Sequence, residues 1–263
     1  MRFDAHCGMA PDTALNDIHW PEEISLRWAT RSDIPEITRV LHENLLSFEF
    51  FDHFCPDRKL HRDEFYAFVL ARVRMFFVMP GVRFMVAEKL KIGLHGNESN
   101  IIGFSTWDAQ GDDNPIAVEW KRQDSSWLRS VERALVDMEL LHHRYFRNTM
   151  LNYEVFNRLR GLLHDSFADE SLHSNLHLQY LMIDPRAQGT GVGHRLLHWG
   201  LDVSEQSELP VILESSLAGH PFYLKHGFKV LKEVRIDAHP DKAKAYQMPM
   251  MVYDPRNKET RAS

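Results

Sequence analysis

The chain has 263 residues, 44% apolar and 26% charged, with a formal net charge of −6. That length can bury a sizeable core in one large domain, and the acidic balance argues against a nucleic-acid partner, which selects for a basic face. Cys7 and Cys55 are the only cysteines, so neither a disulfide framework nor a cysteine zinc site is supported. The opening MRFDAHCGMAPDTAL lacks the apolar segment of a secretory signal, and no apolar run reaches the roughly 20 residues of a bilayer span. A cytoplasmic protein without a membrane partner is the expectation.

Residues 1–22 show no periodicity and read as an extension, with Trp20 as its one anchor. Ile24, Leu26 and Trp28 alternate with Ser25, Arg27 and Ala29, the period of a half-buried strand. Asp33, Pro35 and Glu36 predict a capping box opening a helix that buries Ile37, Val40, Leu41 and Leu45. Residues 48–60 form an aromatic loop. A second helix carries Phe65, Phe68, Val69, Val73, Phe76 and Phe77 on a stripe that its spacing explains as core. Residues 82–89 and 101–107 then pair as an antiparallel hairpin across the polar turn KIGLHGNESN.

Residues 108–175 read as an inserted helical hairpin packed over the sheet. One stripe holds Leu128, Val131, Leu135, Met138, Leu141 and Tyr145, and a second holds Leu151, Val155, Leu159, Leu162 and Leu163. An apolar strand at 176–183 ends at Asp184-Pro185. The turn Gln188-Gly189-Thr190-Gly191-Val192-Gly193 follows and opens a helix through Leu196, Leu197, Leu201 and Val203. A strand at 211–215, a short helix at 217–226 and strands at 228–236 and 246–253 complete the order. Pro249 cannot donate to a ladder and predicts a bulge or an edge in the last strand. The tail at 256–263 is polar.

Strand, glycine turn and helix start together make a phosphate cradle, with bare N–H groups at the positive end of a helix dipole. A P-loop needs Lys-Ser/Thr after the last glycine, where His194-Arg195 stands. A dinucleotide fingerprint would need its third glycine at His194 or at Leu196, although Glu214 lies at a suitable distance for a ribose contact. A Rossmann-type oxidoreductase and a turn whose glycines serve packing alone both stay open at this point.

Gln188-x-x-Gly191-x-Gly193 resembles the Q/R-x-x-G-x-G/A signature of the GNAT superfamily of N-acetyltransferases. Ser216-x-x-Gly219-x-x-x-Tyr223-x-x-x-Gly227-Phe228 is similar to the second half of that site in fungal members. The element order of residues 24–107 and 176–253 agrees. The resemblance implies an α/β (α+β) domain over residues 23–255, with a mixed, mostly antiparallel sheet of six to seven strands flanked by helices. It implies acetyl-CoA as co-substrate and a small-molecule or peptide amine as acceptor. Gln188, Gly189, Thr190, Gly191, Val192 and Gly193 would hold the pyrophosphate. Leu181, Met182 and Ile183 would hold the pantetheine arm through a bulged strand, with a register change expected near Met182; a strand buried on both faces fits that apolar run equally well.

Ser216, seven residues before Tyr223, stands where many members have an arm-binding asparagine, and Gly219 opens the short helix. Tyr223 takes the position of the general acid, and an N–H near Met182 or Ile183 that of the oxyanion donor. Glu214, His177 and His220 are the candidate bases. Direct transfer is expected, since neither cysteine lies on the cleft strands. His142-His143 lacks the four-residue spacing of a metal pair, and no metal is assigned. Selectivity is expected from residues 48–60 and the inserted helices. The acidic residues Asp108, Asp112 and Asp113 suit a cationic amine or simple solvation. A non-catalytic acyl-CoA sensor on the same fold is the alternative.

Overall fold

Alternating apolar residues form seven strands. These are β1 (Ile24–Trp28), β2 (Val82–Gly93), β3 (Gly96–Gln110), β4 (Asn175–Ile183), β5 (Val211–Glu214), β6 (Lys229–Ile236) and β7 (Tyr246–Tyr253). The computed structural model describes residues 24–93, 96–147, 151–165, 172–236 and 245–257. The strands make one sheet ordered β1-β2-β3-β4-β5-β7-β6. Every pairing is antiparallel except β4 with β5. The expected mixed, mostly antiparallel sheet is therefore present. The N-terminal extension and most of the tail lie outside the described residues.

Helices cover both faces. On one, α1 (Ile34–Ser47), α2 (Arg62–Val78) and α5 (Tyr153–Asp165) pack Ile37, Leu41, Phe65, Val69 and Leu159 against Val86, Phe104 and Met250. On the other, α3 (Pro115–Gln123) and α6 (Val192–Ser207) bring Ala117, Leu196 and Leu197 against Trp107, Leu176 and Leu213. Each fully buried side chain of this size contributes roughly 1.5–3 kcal/mol, so the two cores are the main stabilising layers.

Several elements differ from the sequence expectation for identifiable reasons. The polar segment after Lys89 continues the β2–β3 ladder as far as Gly93 opposite Gly96 instead of turning early. Asp33 does not cap α1 with its side chain. Its carboxylate accepts Arg27 at 2.7 and 2.8 Å and the Thr30 N–H at 2.6 Å, so it ties β1 to the helix start.

Between β3 and β4 lie α3, α4 (Trp127–His142), a π-helical turn at His143–Arg147 and α5. The second predicted stripe packs inward, with Leu151 and Leu159 buried, although Leu162 stays exposed. The first does not: Leu128, Val131, Leu135, Met138, Leu141 and Tyr145 are all exposed. The opposite side of α4 docks on α2 instead, through Arg74 to Glu139 at 2.8 Å and Arg129 to the Phe77 carbonyl at 3.5 Å. Arg31 pairs with Glu132 on the same side. Val136 is the side chain of α4 buried on that face, so the ion pairs flank a small apolar contact and the longer apolar stripe turns outward.

Pro249 is in neither a bulge nor an edge strand, because β7 runs between β5 and β6. Its carbonyl accepts the Ser215 N–H at 2.8 Å, so its nitrogen faces the β5 side of the strand. There β5 has already ended, at Glu214 opposite Met250, and no donor is required. The register shift falls instead on β6, between Val230 and Lys232.

Candidate active site

β4 and β5 are paired at only two positions, Leu176 with Val211 and His177 with Ile212, and beyond these they separate. A bulge on β4 accompanies the split. Thr106 opposes Tyr180 while Trp107 opposes Leu178, so Gln179 is the unpaired extra residue. The register change therefore lies three residues before the Met182 position read from the sequence, and it sits at the mouth of the opening.

The far end of β4 fixes which backbone groups are free. Asp184 donates its N–H to the Ile102 carbonyl at 2.8 Å. By the two-residue alternation of a strand, Met182 and Tyr180 also turn their backbone groups toward β3, whereas Leu181 and Ile183 turn theirs toward the opening. Asn44 occupies the Ile183 carbonyl at 3.0 Å. The N–H groups of Leu181 and Ile183 and the Leu181 carbonyl remain for a ligand, and Met182 is committed to the ladder. The Asp184 carboxylate, bound by Arg39 and Arg186, clamps this end, and the Arg186 contact above all holds its pKa well below the usual carboxylate range.

The glycine turn follows directly. Gly189 and Gly191 adopt φ of 78° and 85°, the left-handed region that favours glycine. Gly191 is the N-cap of α6, and Arg195 N–H is the first to find a helical acceptor, the Gly191 carbonyl at 3.2 Å. The N–H groups of Val192, Gly193 and His194 thus point out of the helix end, where they could hold an anion. Thr190 closes the turn by donating to the Ala187 carbonyl at 2.6 Å, and Val192 anchors it by burying its side chain.

A polar network lines the same opening. Glu214, the last residue of β5, holds Nε2 of buried His177 at 2.7 Å. The amide nitrogens of Gln179 and Gln110 approach Nδ1 at 3.0 and 3.5 Å, so the neutral imidazole carries its proton on Nε2 and donates it to Glu214. Burial disfavours a charged imidazole, yet Glu214 and Asp108 outweigh it and hold His177 above its ordinary pKa. Asp108 is itself pushed up by burial. Of the three acidic residues singled out from the sequence, Asp108, on β3 itself, enters this network, while Asp112 is exposed and Asp113 accepts from Ser174.

Tyr223 closes the opening from α7 (His220–Lys225). Its ring packs edge-on against Phe222 and Phe228, and its hydroxyl has no hydrogen-bond partner among the described residues. Burial pushes its pKa above the ordinary phenol value. Ser216 Oγ accepts the Gly219 N–H at 3.0 Å, which sets the turn into α7 and leaves the hydroxyl proton free.

These groups line one cavity of about 1960 Å³. Drug-sized ligands fill roughly 300–1,000 Å³, so the volume accommodates two substrates at once. Of the residues assigned from sequence, all except Thr190 line it; Glu214 and His177 do as well, while His220 does not.

Residues 137–241 match a family model described as an acetyltransferase (GNAT) domain. The chain resembles a GNAT domain over that stretch. Its fold is also that of the crystal structure described as histone acetyltransferase HPA2 and related acetyltransferase from Corynebacterium glutamicum. That likeness has a TM-score of 0.52 and 18% identity, covering 89% of this chain and 97% of the other. Over 43 residues the chain is 51% identical to a "Probable acyltransferase SID5" of Ajellomyces capsulatus. That alignment spans 16% of this chain and 32% of the relative's length.

Three features of the site escape the sequence reading. Gln179 is one, since nothing marks it as the bulged residue. Arg72 is the second. It stands four residues after Phe68 and four before Phe76, on the face of α2 that lines the cavity, a placement visible as helical spacing. The third is the trio His194, His198 and His226, whose ring nitrogens lie within 4.8 Å of one another; His194-x-x-x-His198 has the four-residue spacing absent from His142-His143. His226 Nδ1 donates to the Phe222 carbonyl at 2.8 Å, leaving Nε2 to accept from His194 Nδ1 at 2.8 Å. Two nitrogens on one tetrahedral zinc stand about 3.3 Å apart, so this contact is a hydrogen bond between rings. Among the described residues no helix is long and apolar enough to cross a membrane.

Proposed function

We propose that this protein transfers an acetyl group from acetyl-CoA to a primary amine by direct attack. The observation that carries this reading is the opening between β4 and β5. It sets free backbone groups on Leu181 and Ile183 beside the N–H cradle of α6, in one cavity with the Glu214–His177 pair and the Tyr223 phenol, which has no hydrogen-bond partner among the described residues.

The pyrophosphate of acetyl-CoA lies against the glycine turn, and its peptide-like arm pairs with Leu181 and Ile183 as an added strand. Glu214 keeps one carboxylate oxygen for the amine, because His177 holds the other. It removes the ammonium proton, directly or through one water. The neutral nitrogen forms a C–N bond at the thioester carbonyl, and the tetrahedral oxygen takes the negative charge next to a β4 N–H. The C–S bond then breaks as the oxygen re-forms the carbonyl, the thiolate leaves with the proton of Tyr223, and the second proton on nitrogen passes to the phenolate, directly or through one water, which leaves a neutral amide.

Free-thiol release from acetyl-CoA over a panel of amines tests the reading. At least one amine should raise the rate well above the amine-free background, and acetyl-CoA but not a nicotinamide dinucleotide should raise the melting temperature. Binding of acetyl-CoA with no accepted amine would instead make the protein a sensor. Tyr223→Phe is expected to lower kcat about 10- to 50-fold, with the KM for acetyl-CoA nearly constant. The loss falls below the usual range of about 10²–10⁴-fold for a general acid, because the raised phenol pKa weakens proton transfer.

A further inference from the structure

The acceptor side of the cavity contains a cation with no ion-pair partner among the described residues. Arg72 of α2 is half-buried, lines the cavity, and pairs with no carboxylate among the described residues. Its guanidinium carbon lies 5.4 Å from the ring centres of both Phe76 and Phe156, and Nη1 reaches Met75 Sδ at 3.6 Å. The remaining polar contact is the Tyr180 hydroxyl. Arg160 of α5 lines the same wall and adds positive charge. Burial, and then Arg160, hold Arg72 below its ordinary pKa, so the enclosed charge works against the stability of the empty protein.

A surface arginine needs no partner, because water solvates it. One held among phenylalanines and a second arginine is costly unless an anion arrives. Tyr180 links this wall to the reacting end: its phenol contacts Arg72 and also feels the charge of Glu214. A molecule laid along Tyr180 therefore meets a carboxylate at one end and a guanidinium fork at the other.

We propose that the acceptor is an amino acid-like molecule whose amine faces Glu214 and whose carboxylate is bound by Arg72, with Arg160 adding attraction. The inference rests on the acetyltransferase reading and adds the class of acceptor to it. A carboxylate suits the site because the planar fork of one arginine matches its two oxygens, and the flanking rings hold that fork in orientation.

The test compares amino acids with the corresponding amides and decarboxylated amines, for wild type, Arg72→Gln and Arg72→Lys. Wild type should favour the acids by at least about 30-fold in kcat/KM, the size expected for one well-placed charged pair. Arg72→Gln should lose that preference through KM, with kcat little changed and neutral amines unaffected, and Arg72→Lys should recover part of it. Arg72→Met should melt higher than wild type in the absence of ligands, whereas a purely structural arginine would give a lower melting temperature.

Equal use of acids and amides by wild type, or a loss in Arg72→Gln shared by all amines, would overturn the assignment. A preference for a dicarboxylic acyl-CoA donor that Arg72→Gln abolishes would also overturn it, by placing the anion on the donor. Failure of the acetyltransferase reading shows separately, as acetyl-CoA binding with no thiol release from any amine. In that event N-acetyl amino acids titrated against the acetyl-CoA-loaded protein still report the anion site: they should stabilise wild type and not Arg72→Gln, and no stabilisation of wild type would refute it.

Discussion

Glu214→Gln should lower kcat/KM for every accepted amine by about 10²–10³-fold, within the usual range for loss of a general base. The substitution is nearly isosteric and the amide can still accept the His177 Nε2 proton, so the site keeps its shape and loses its negative charge. A shift in the acid limb of the pH–rate profile should accompany the loss. In the wild type, Glu214 and Asp108 hold the His177 pKa up against burial. As pH falls the imidazolium forms early and engages Glu214 in an ion pair, which takes the carboxylate away from the amine. In the Glu214→Gln variant, burial opposes protonation against Asp108 alone, so the His177 pKa falls and the residual activity persists to lower pH. A rate loss without movement of the acid limb would remove His177 from the proton path. An unchanged rate would exclude Glu214 as the base.

Much of this site follows from local chemistry that a sequence displays. Gly189 and Gly191 occupy left-handed positions, and only their spacing before an apolar helix was needed to place the anion cradle. The cleft behind it depends on where a parallel pairing stops, which no local pattern announces. Tyr180 to Ile183 is an unbroken apolar run, and the bulge falls on Gln179 just before it. Apolar spacing on α4 likewise gives the periodicity of a helix but not its roll. Exposed ion pairs contribute only about 0–1 kcal/mol each, yet here Arg74–Glu139 and Arg31–Glu132 accompany the docked face while Leu128, Leu135 and Met138 face outward. Arg72 was hidden for a related reason. An arginine in an aromatic stripe usually extends its charge away from the protein, and its place on a cavity wall between Phe76 and Phe156 is a tertiary fact.

Gly200→Ala should be the most damaging small substitution in the second core. Alanine favours a helix interior over glycine by up to about 1 kcal/mol, so in open space the change would stabilise α6. Gly200 is not in open space. A Cβ there would meet the fully buried Trp107 indole at 2.5 Å from Cζ3 and closer still to two other ring atoms. Trp107 has little room to retreat: its Nε1 donates to Ser105 at 3.0 Å and its ring packs on Trp199 at 5.5 Å between centroids. Overpacking of a dense core typically costs about 1–3 kcal/mol and occasionally more. This clash belongs at the upper end, so a net loss of at least about 2 kcal/mol in urea unfolding is expected, against the helical preference. Trp107 opposes Leu178 at the β4 bulge, so a displaced indole should also disturb the mouth of the cleft and weaken acetyl-CoA binding. The double variant with Trp107→Leu separates clash from general damage. Removing the indole should make Gly200→Ala nearly neutral, a coupling measurable even if the single variant unfolds early. A single variant as stable as wild type would show that the ring yields, and that the close approach of α6 to β3 does not depend on glycine.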